Sequence, residues 1–307
     1  MGNADKGFMT ARQALWLANP RTWVASAGPA LFGVCYCWVR GYPLSVIKAF
    51  ALTTACILLQ SAVNTLNDYY DYMKGTDSAE DPLEASDAVL IYENLNPKSA
   101  FWLGLAFLAA GGALGLACCT GAVPLLVGLA GAAVVVLYSA GPLPISYLPL
   151  GELISGVVMG GLIPLGIAGC ADGKWHPAVL VWSLPLILGI SLIMMTNNGC
   201  DVKKARRAAR RTLPALLGRE STVVLYRAQS VLWLLLLAVL PVLLLGMPGL
   251  IGTLLLALCW RCFRALLGFR LEPENRIRQM KGITAANLLG NGAYVAALAV
   301  SLLAGVR

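Results

Sequence analysis

An all-helical bundle of membrane-spanning segments is what this sequence predicts, and three observations predict it. Of the 307 residues, 58% are apolar and 12% charged, and the mean hydropathy is +0.73, far from the balance of a soluble domain. The apolar residues gather into nine runs, each near the roughly 20 residues that cross a hydrocarbon core. The runs do not alternate polar with apolar, and lipid offers no partner to a backbone N–H or C=O. Helices meet that condition within one segment, whereas a barrel would show a two-residue period.

In chain order the spans are expected at about 22–39, 46–66, 99–118, 121–140, 152–171, 177–198, 222–245, 248–267 and 283–304. The first follows Met1–Ala18, which is polar and lacks the pattern of a cleavable signal; Lys6 breaks the myristoylation pattern after Gly2. The second span ends in Asn64, Asn67, Asp68 and Asp71 and opens a polar stretch over 67–98, where eight of the fifteen acidic residues fall between Asp68 and Glu93. A short outer loop with Lys174, Trp175 and His176 separates the fifth span from the sixth, and the basic stretch 199–221 follows the sixth. The whole chain, 1–307, is expected to be one domain, with 67–98 and 199–221 as motif-bearing cytoplasmic loops.

Basic residues set orientation. With the N-terminus inside, nineteen Lys and Arg flank the cytoplasmic ends, including Lys203–Arg227 and Arg261–Lys281, while only Arg40, Lys48, Lys174 and Arg307 lie outside. The expected topology is nine spans, N-terminus in and C-terminus out, in a bacterial or archaeal cell membrane, with both polar clusters facing the cytoplasm. This asymmetry also accounts for the net charge of +8, so nucleic acid is not expected as a partner. The nine cysteines sit in apolar runs as small hydrophobes, and the Cys259–Cys262 pair alone does not make a metal or redox site. The sequence says nothing of oligomeric state.

Two clusters carry the chemistry. In the first, Asn64, Asp68 and Asp71 project at about 0°, 40° and −20° around a helix, a narrow stripe at the end of the second span. The second, Asn197, Asn198 and Asp201, ends the sixth span, with three- and four-residue spacings that aim its side chains one way. Carboxylates beside lipid are costly and need a reason. Facing each other, the stripes could hold Mg2+ and a diphosphate, because Mg2+ takes one or two carboxylates together with substrate oxygens. Hydrogen bonds between Asn and Asp that glue spans together are the structural alternative. Asp77, Glu80, Asp81, Glu84 and Asp87 fit equally the solvated face of a short surface helix.

The residues around these clusters carry a resemblance. Asn67-Asp68-Tyr69-Tyr70-Asp71-Tyr72-Met73-Lys74-Gly75-Thr76-Asp77 resembles the first aspartate-rich motif of the UbiA superfamily of intramembrane prenyltransferases. It is most similar to the branch that prenylates 1,4-dihydroxy-2-naphthoate in menaquinone synthesis. Asn197-Asn198-Gly199-Cys200-Asp201, with Arg210-Arg211-Thr212-Leu213 and Leu217-Gly218, resembles that branch's second motif. Further echoes are Ala18 to Trp23 and Tyr138 to Glu152.

The resemblance implies a polyprenyl diphosphate held through Mg2+ by Asp68, Asp71, Asp77 and Asp201. It also implies an allylic cation attacked by an aromatic acceptor, with decarboxylation in the naphthoate case. Asn64, Asn67, Lys74, Asn197, Asn198, Arg210 and Arg211 are the expected diphosphate contacts, and Tyr147 is the candidate to shield the cation with its ring face. The chain departs from the pattern where Ala205 and Lys203 stand in place of acidic residues; either Lys203 or Lys204 replaces one Mg2+, or substrate or activity has changed. The loop 87–97 lacks the usual basic residue and glycine, and Ala209 stands where glycine is common. Other acceptors within the superfamily, and a non-catalytic binder or transporter of a phosphorylated lipid, are the alternatives.

Overall fold

The computed structural model describes residues 9–76, 88–93 and 95–305, and among them regular structure is helical throughout. Each of the nine apolar runs becomes a helix or a broken helix. Among the described residues five helical segments are long and apolar enough to cross a membrane, two bent pairs make up to seven if each is one span, and Ala122–Leu137 and Leu184–Cys200 are shorter apolar helices.

Helix α1 (Ala11–Ala18) begins at Thr10, whose hydroxyl accepts the Gln13 amide while the Gln13 side chain accepts the Thr10 amide, a reciprocal cap. It ends at Asn19 in the left-handed region, φ 49°, a conformation asparagine tolerates. Pro20 then prevents continuation, and α2 (Val24–Val39) departs at 60° to the N-terminal segment. Helix α3 (Val46–Met73) has 28 residues, about 42 Å at 1.5 Å per residue, more than the hydrocarbon core's ~30 Å. Its last turns carry Asn67, Asp68 and Asp71, which makes that polar end the one suited to protrude from the hydrocarbon. The expected loop 67–98 is thus helical as far as Met73; helix α4 (Val89–Tyr92) follows, and α5 (Pro97–Cys118) starts at Pro97. Leu17, Val89, Leu90, Leu95 and Ala100 form a small apolar cluster joining α1, α4 and α5 beside that polar end.

After α6 (Ala122–Leu137), the fifth span is built from α7 (Gly151–Ser155), a π-helical stretch Gly156–Leu162 and α8 (Ile163–Asp172). Helix α9 (Ala178–Trp182) leads into α10 (Leu184–Cys200). The expected loop 199–221 contains α11 (Val202–Arg207) and α12 (Leu213–Leu217). Then come α13 (Arg219–Leu245), α14 (Gly249–Leu258), α15 (Trp260–Leu267), bent 68° from α14, and α16 (Arg276–Leu303).

Helix α10 is central, packed on the π-helical stretch, α13 and α16, while α2 lies against α3, α8 and α16, and α3 against α5. Lipid supplies no hydrophobic drive between helices, so close approach by small residues and interhelical hydrogen bonds hold them. Gly156 and Gly160 let the fifth span meet the Ile187 backbone of α10. Asn287 of α16 donates to the Gly189 carbonyl at 3.0 Å and to Ile283 at 3.1 Å. Around these joints sit Phe32 on Tyr294, Tyr36 on Trp182 and Trp233 on Phe263, with ring centroids 5.1, 5.2 and 6.1 Å apart.

Candidate active site

Both polar clusters open onto one cavity of about 950 Å³. Asn64, Asn67, Asp68 and Asp71 line it from α3, and Asn197, Asn198 and Asp201 from the end of α10. Deeper in, the walls are apolar, with Ile57, Val63, Val135, Met159, Ile190 and Met194 among them. The cavity therefore has a charged mouth and a greasy interior.

On the first wall Arg210 pairs with Asp71, and Asn67 donates to Asp71 Oδ2 at 3.2 Å. Asn67 Oδ1 in turn accepts the Ser139 hydroxyl at 2.9 Å. Burial disfavours the charge on Arg210, but Asp71 and Tyr147 outweigh it and raise its pKa above the ordinary value, so the guanidinium stays cationic. Asp71 is 6% exposed, and a carboxylate buried so far needs that cation. Arg210 is aimed by its loop: its amide donates to the Ala205 carbonyl at 2.8 Å, just after Ala209 has turned the chain at φ 53°.

On the second wall Arg276, the first residue of α16, binds Asp201 and Asn197. Asn198 points to Glu152, donating to Oε1 at 2.8 Å. Glu152 is 2% exposed and its Oε2 has no protein partner. Lys204 and Lys281 also line the mouth.

The model of the UbiA prenyltransferase family matches residues 26–291 of this chain. The chain belongs to the UbiA prenyltransferase family. It is 32% identical over 219 residues to the 1,4-dihydroxy-2-naphthoate octaprenyltransferase of Bacillus subtilis, covering 70% of each. The human UbiA prenyltransferase domain-containing protein 1 is 27% identical over 68% of this chain and 62% of its own length. Among solved structures, a UbiA homologue from Archaeoglobus fulgidus bound to GPP and Mg2+ superposes with a TM-score of 0.65. It is 16% identical and covers 95% of this chain and 99% of its own. An apo homologue from Aeropyrum pernix gives 0.64 at 17% identity, covering 98% and 100%. The chain is accordingly a membrane enzyme of a class that transfers prenyl groups.

Within this UbiA chain, several expected contacts take other positions. Asn64 lines the cavity but spends its amide on the Ala18 carbonyl and Thr22 hydroxyl, both at 2.8 Å, tying α3 to the N-terminal bend. Tyr147 does not line the cavity: Arg210 stands 4.7 Å and Lys74 4.9 Å from its ring centroid. The Tyr147 ring thus meets the cations of Arg210 and Lys74. Lys74 donates to the Ser139 carbonyl at 3.1 Å. Arg211 is exposed and contributes its backbone amide, 2.9 Å from the Tyr147 carbonyl. Asp77 lies outside the described residues, as do Glu80, Asp81, Glu84 and Asp87. Arg276, Lys281 and Tyr138 line the cavity without having been singled out, since Arg276 and Lys281 sit in a basic run that reads as a topology anchor.

The donor set at the mouth suits a hard cation: carboxylate and carboxamide oxygens from two helices, with no imidazole among the lining residues and the one lining thiol, Cys56, eight positions before Asn64 on α3. Among the described residues no three of His, Cys, Asp and Glu gather into a group that could hold a metal. His176 is elsewhere, 2.8 Å from Asp172 and stacked on Tyr42 near the opposite end of α3.

Proposed function

We propose that this enzyme transfers a polyprenyl group from polyprenyl diphosphate to 1,4-dihydroxy-2-naphthoate, with loss of the acceptor's carboxylate, as in menaquinone synthesis. The single observation that carries the reading is the one cavity whose mouth gathers Asp68, Asp71 and Asp201 with Arg210 and Arg276, and whose interior is apolar. An amphiphile with a charged head and a hydrocarbon tail has that shape. The similarity to the Bacillus subtilis enzyme supports the naphthoate acceptor.

In this reading Asp68 and Asp71, with Asp77, hold Mg2+ jointly with the diphosphate oxygens. When bound, the ion neutralises the charge that develops on the leaving diphosphate. Arg210 adds a fixed positive charge beside Asp71, preorganised by the Tyr147 ring next to it. Asn67, Asn197 and Asn198 line the same mouth. As the prenyl carbon–oxygen bond breaks, its electron pair leaves with diphosphate, and the allylic cation stays in the apolar interior, where water is excluded. The acceptor ring attacks through the carbon that bears the carboxylate. Carbon dioxide then departs and returns its bonding pair to the ring, so no base is needed at that carbon.

We place this site on the cytoplasmic side of a bacterial or archaeal cell membrane, in a nine-span topology with the N-terminus inside. The test is transfer from labelled polyprenyl diphosphate to naphthoate labelled in its carboxyl group, with and without Mg2+. Prenylated product and equimolar labelled carbon dioxide are expected, abolished by chelation and reduced by about 100-fold or more in Asp68→Asn, in line with losing one electrostatic stabiliser. Transfer to 4-hydroxybenzoate or a glycerol phosphate lipid instead would replace the acceptor. Absence of product with any acceptor, while prenyl diphosphate still binds, would make the chain a binder or carrier.

A further inference from the structure

The two walls of the mouth differ, and one arginine makes the difference. Asp68 and Asp71 stand close together on α3, but one turn beyond Asp201 the chain has Ala205, 5% exposed. No second carboxylate follows Asp201 there. What reaches Asp201 is Arg276: Nε lies 3.1 Å from Oδ1 and 3.2 Å from Oδ2, and Nη2 donates to Asn197 Oδ1 at 2.7 Å. The side chain of Arg276 is only 11% exposed, and the residue lines the cavity. A carboxylate and a carboxamide one turn apart on α10 thus grip a planar guanidinium. Gripped so, it is a rigid fork of the kind that binds phosphate oxygens in pairs. A cation bound at Asp201 would compete with this guanidinium for both carboxylate oxygens. Lys204 adds charge on the same wall, whereas Lys203 is exposed and does not line the cavity.

We infer that Arg276 binds the substrate's diphosphate directly and does the work of a second metal ion, with Asp201 and Asn197 positioning it. The enzyme then needs one divalent ion, held on the α3 wall. This rests on the prenyl diphosphate reading above, and the two can fail separately.

The test is metal stoichiometry with farnesyl thiolodiphosphate, an analogue slow to react, titrated into the purified full chain with Mn2+ and followed by paramagnetic resonance. One Mn2+ per bound analogue is expected. Arg276→Gln should weaken the analogue at least tenfold with the count unchanged, and Arg276→Lys should recover part of the loss. Ala205→Asp combined with Arg276→Gln should take up a second Mn2+ and regain affinity. Two Mn2+ per analogue in the native chain, a measurement that requires no variant to fold, would overturn the inference and leave the transferase reading intact. Unchanged binding in Arg276→Gln would do the same. A native chain that binds no analogue at any Mn2+ concentration would overturn both.

Discussion

At the scale of single residues, the Asp71–Arg210 pair carries a coupled expectation. Each is a mostly buried charge whose partner compensates it, and removing one partner leaves the other charge unpaired at a larger cost than removing both. Asp71→Asn and Arg210→Gln should each lower stability in detergent by on the order of 2 kcal/mol, the pair being partly wetted by the cavity, and the double variant by less than their sum. A double-mutant cycle on thermal midpoints measures the coupling; additive losses would contradict it. Transfer should still be lost in the double variant, because stability and catalysis use the pair differently. A second expectation concerns Asn198, whose amide satisfies the buried Glu152. Asn198→Ala should cost about 1–3 kcal/mol, and Glu152→Leu added to it should restore part of that midpoint. Helical spacing alone reads a stripe of Asn64, Asp68 and Asp71 and a counterpart of Asn197, Asn198 and Asp201; all six line the cavity, but Asn64 gives its amide to the N-terminal bend and Asn198 gives its own to Glu152. Arg276 is not legible in this way. A lone arginine within a basic run has the same sequence signature whether it anchors a helix at lipid headgroups or reaches 75 positions back to Asp201.

At the scale of elements, apolar run length located the helices but not their breaks. A run of hydrophobic residues reads alike whether it is straight, π-helical as at Gly156–Leu162, or bent as between α14 and α15. The polar stretches hid α11 and α12 because five or six residues are too few for periodicity to speak. The π-helical stretch brings a further expectation. A Cβ on Gly160 would sit 2.6 Å from the Ile187 Cα and 2.7 Å from the Leu186 carbonyl carbon, both backbone atoms that cannot rotate away. Gly160→Ala should therefore push the fifth span off α10, cost about 1–3 kcal/mol as overpacking does, and move Asn198 with it. Gly112 of α5 meets nothing within 4 Å, so Gly112→Ala is the matched control. Equal thermal midpoints for the two variants would show that close packing against α10 does not depend on that glycine.

At the scale of the whole molecule, the long helices and their joints converge on one arrangement. The C-terminal ends of α3 and α10 and the N-terminal end of α16 must share one side, because Asp71, Asp201 and Arg276 line one cavity. Antiparallel passage between consecutive spans then fixes the rest, provided α6 and α10, each short, and both bent pairs all cross. In the nine-span topology proposed above, nineteen of the basic residues would fall on the side of that mouth and four on the other, the asymmetry that would set the mouth toward the cytoplasm. Nine crossings would be odd in number and would put the chain's two ends on opposite sides. The expected outcome is that alkaline phosphatase fused after Arg307 is active in a bacterial host while a green fluorescent protein fused there stays dark. A fluorescent protein fused after Arg211, beside the mouth, should be bright. Fluorescence from both fusions would mean an even number of crossings after Arg211 and would overturn the nine-span topology, because Arg210 and Arg276 share the mouth and α16 leads away from it in a single crossing.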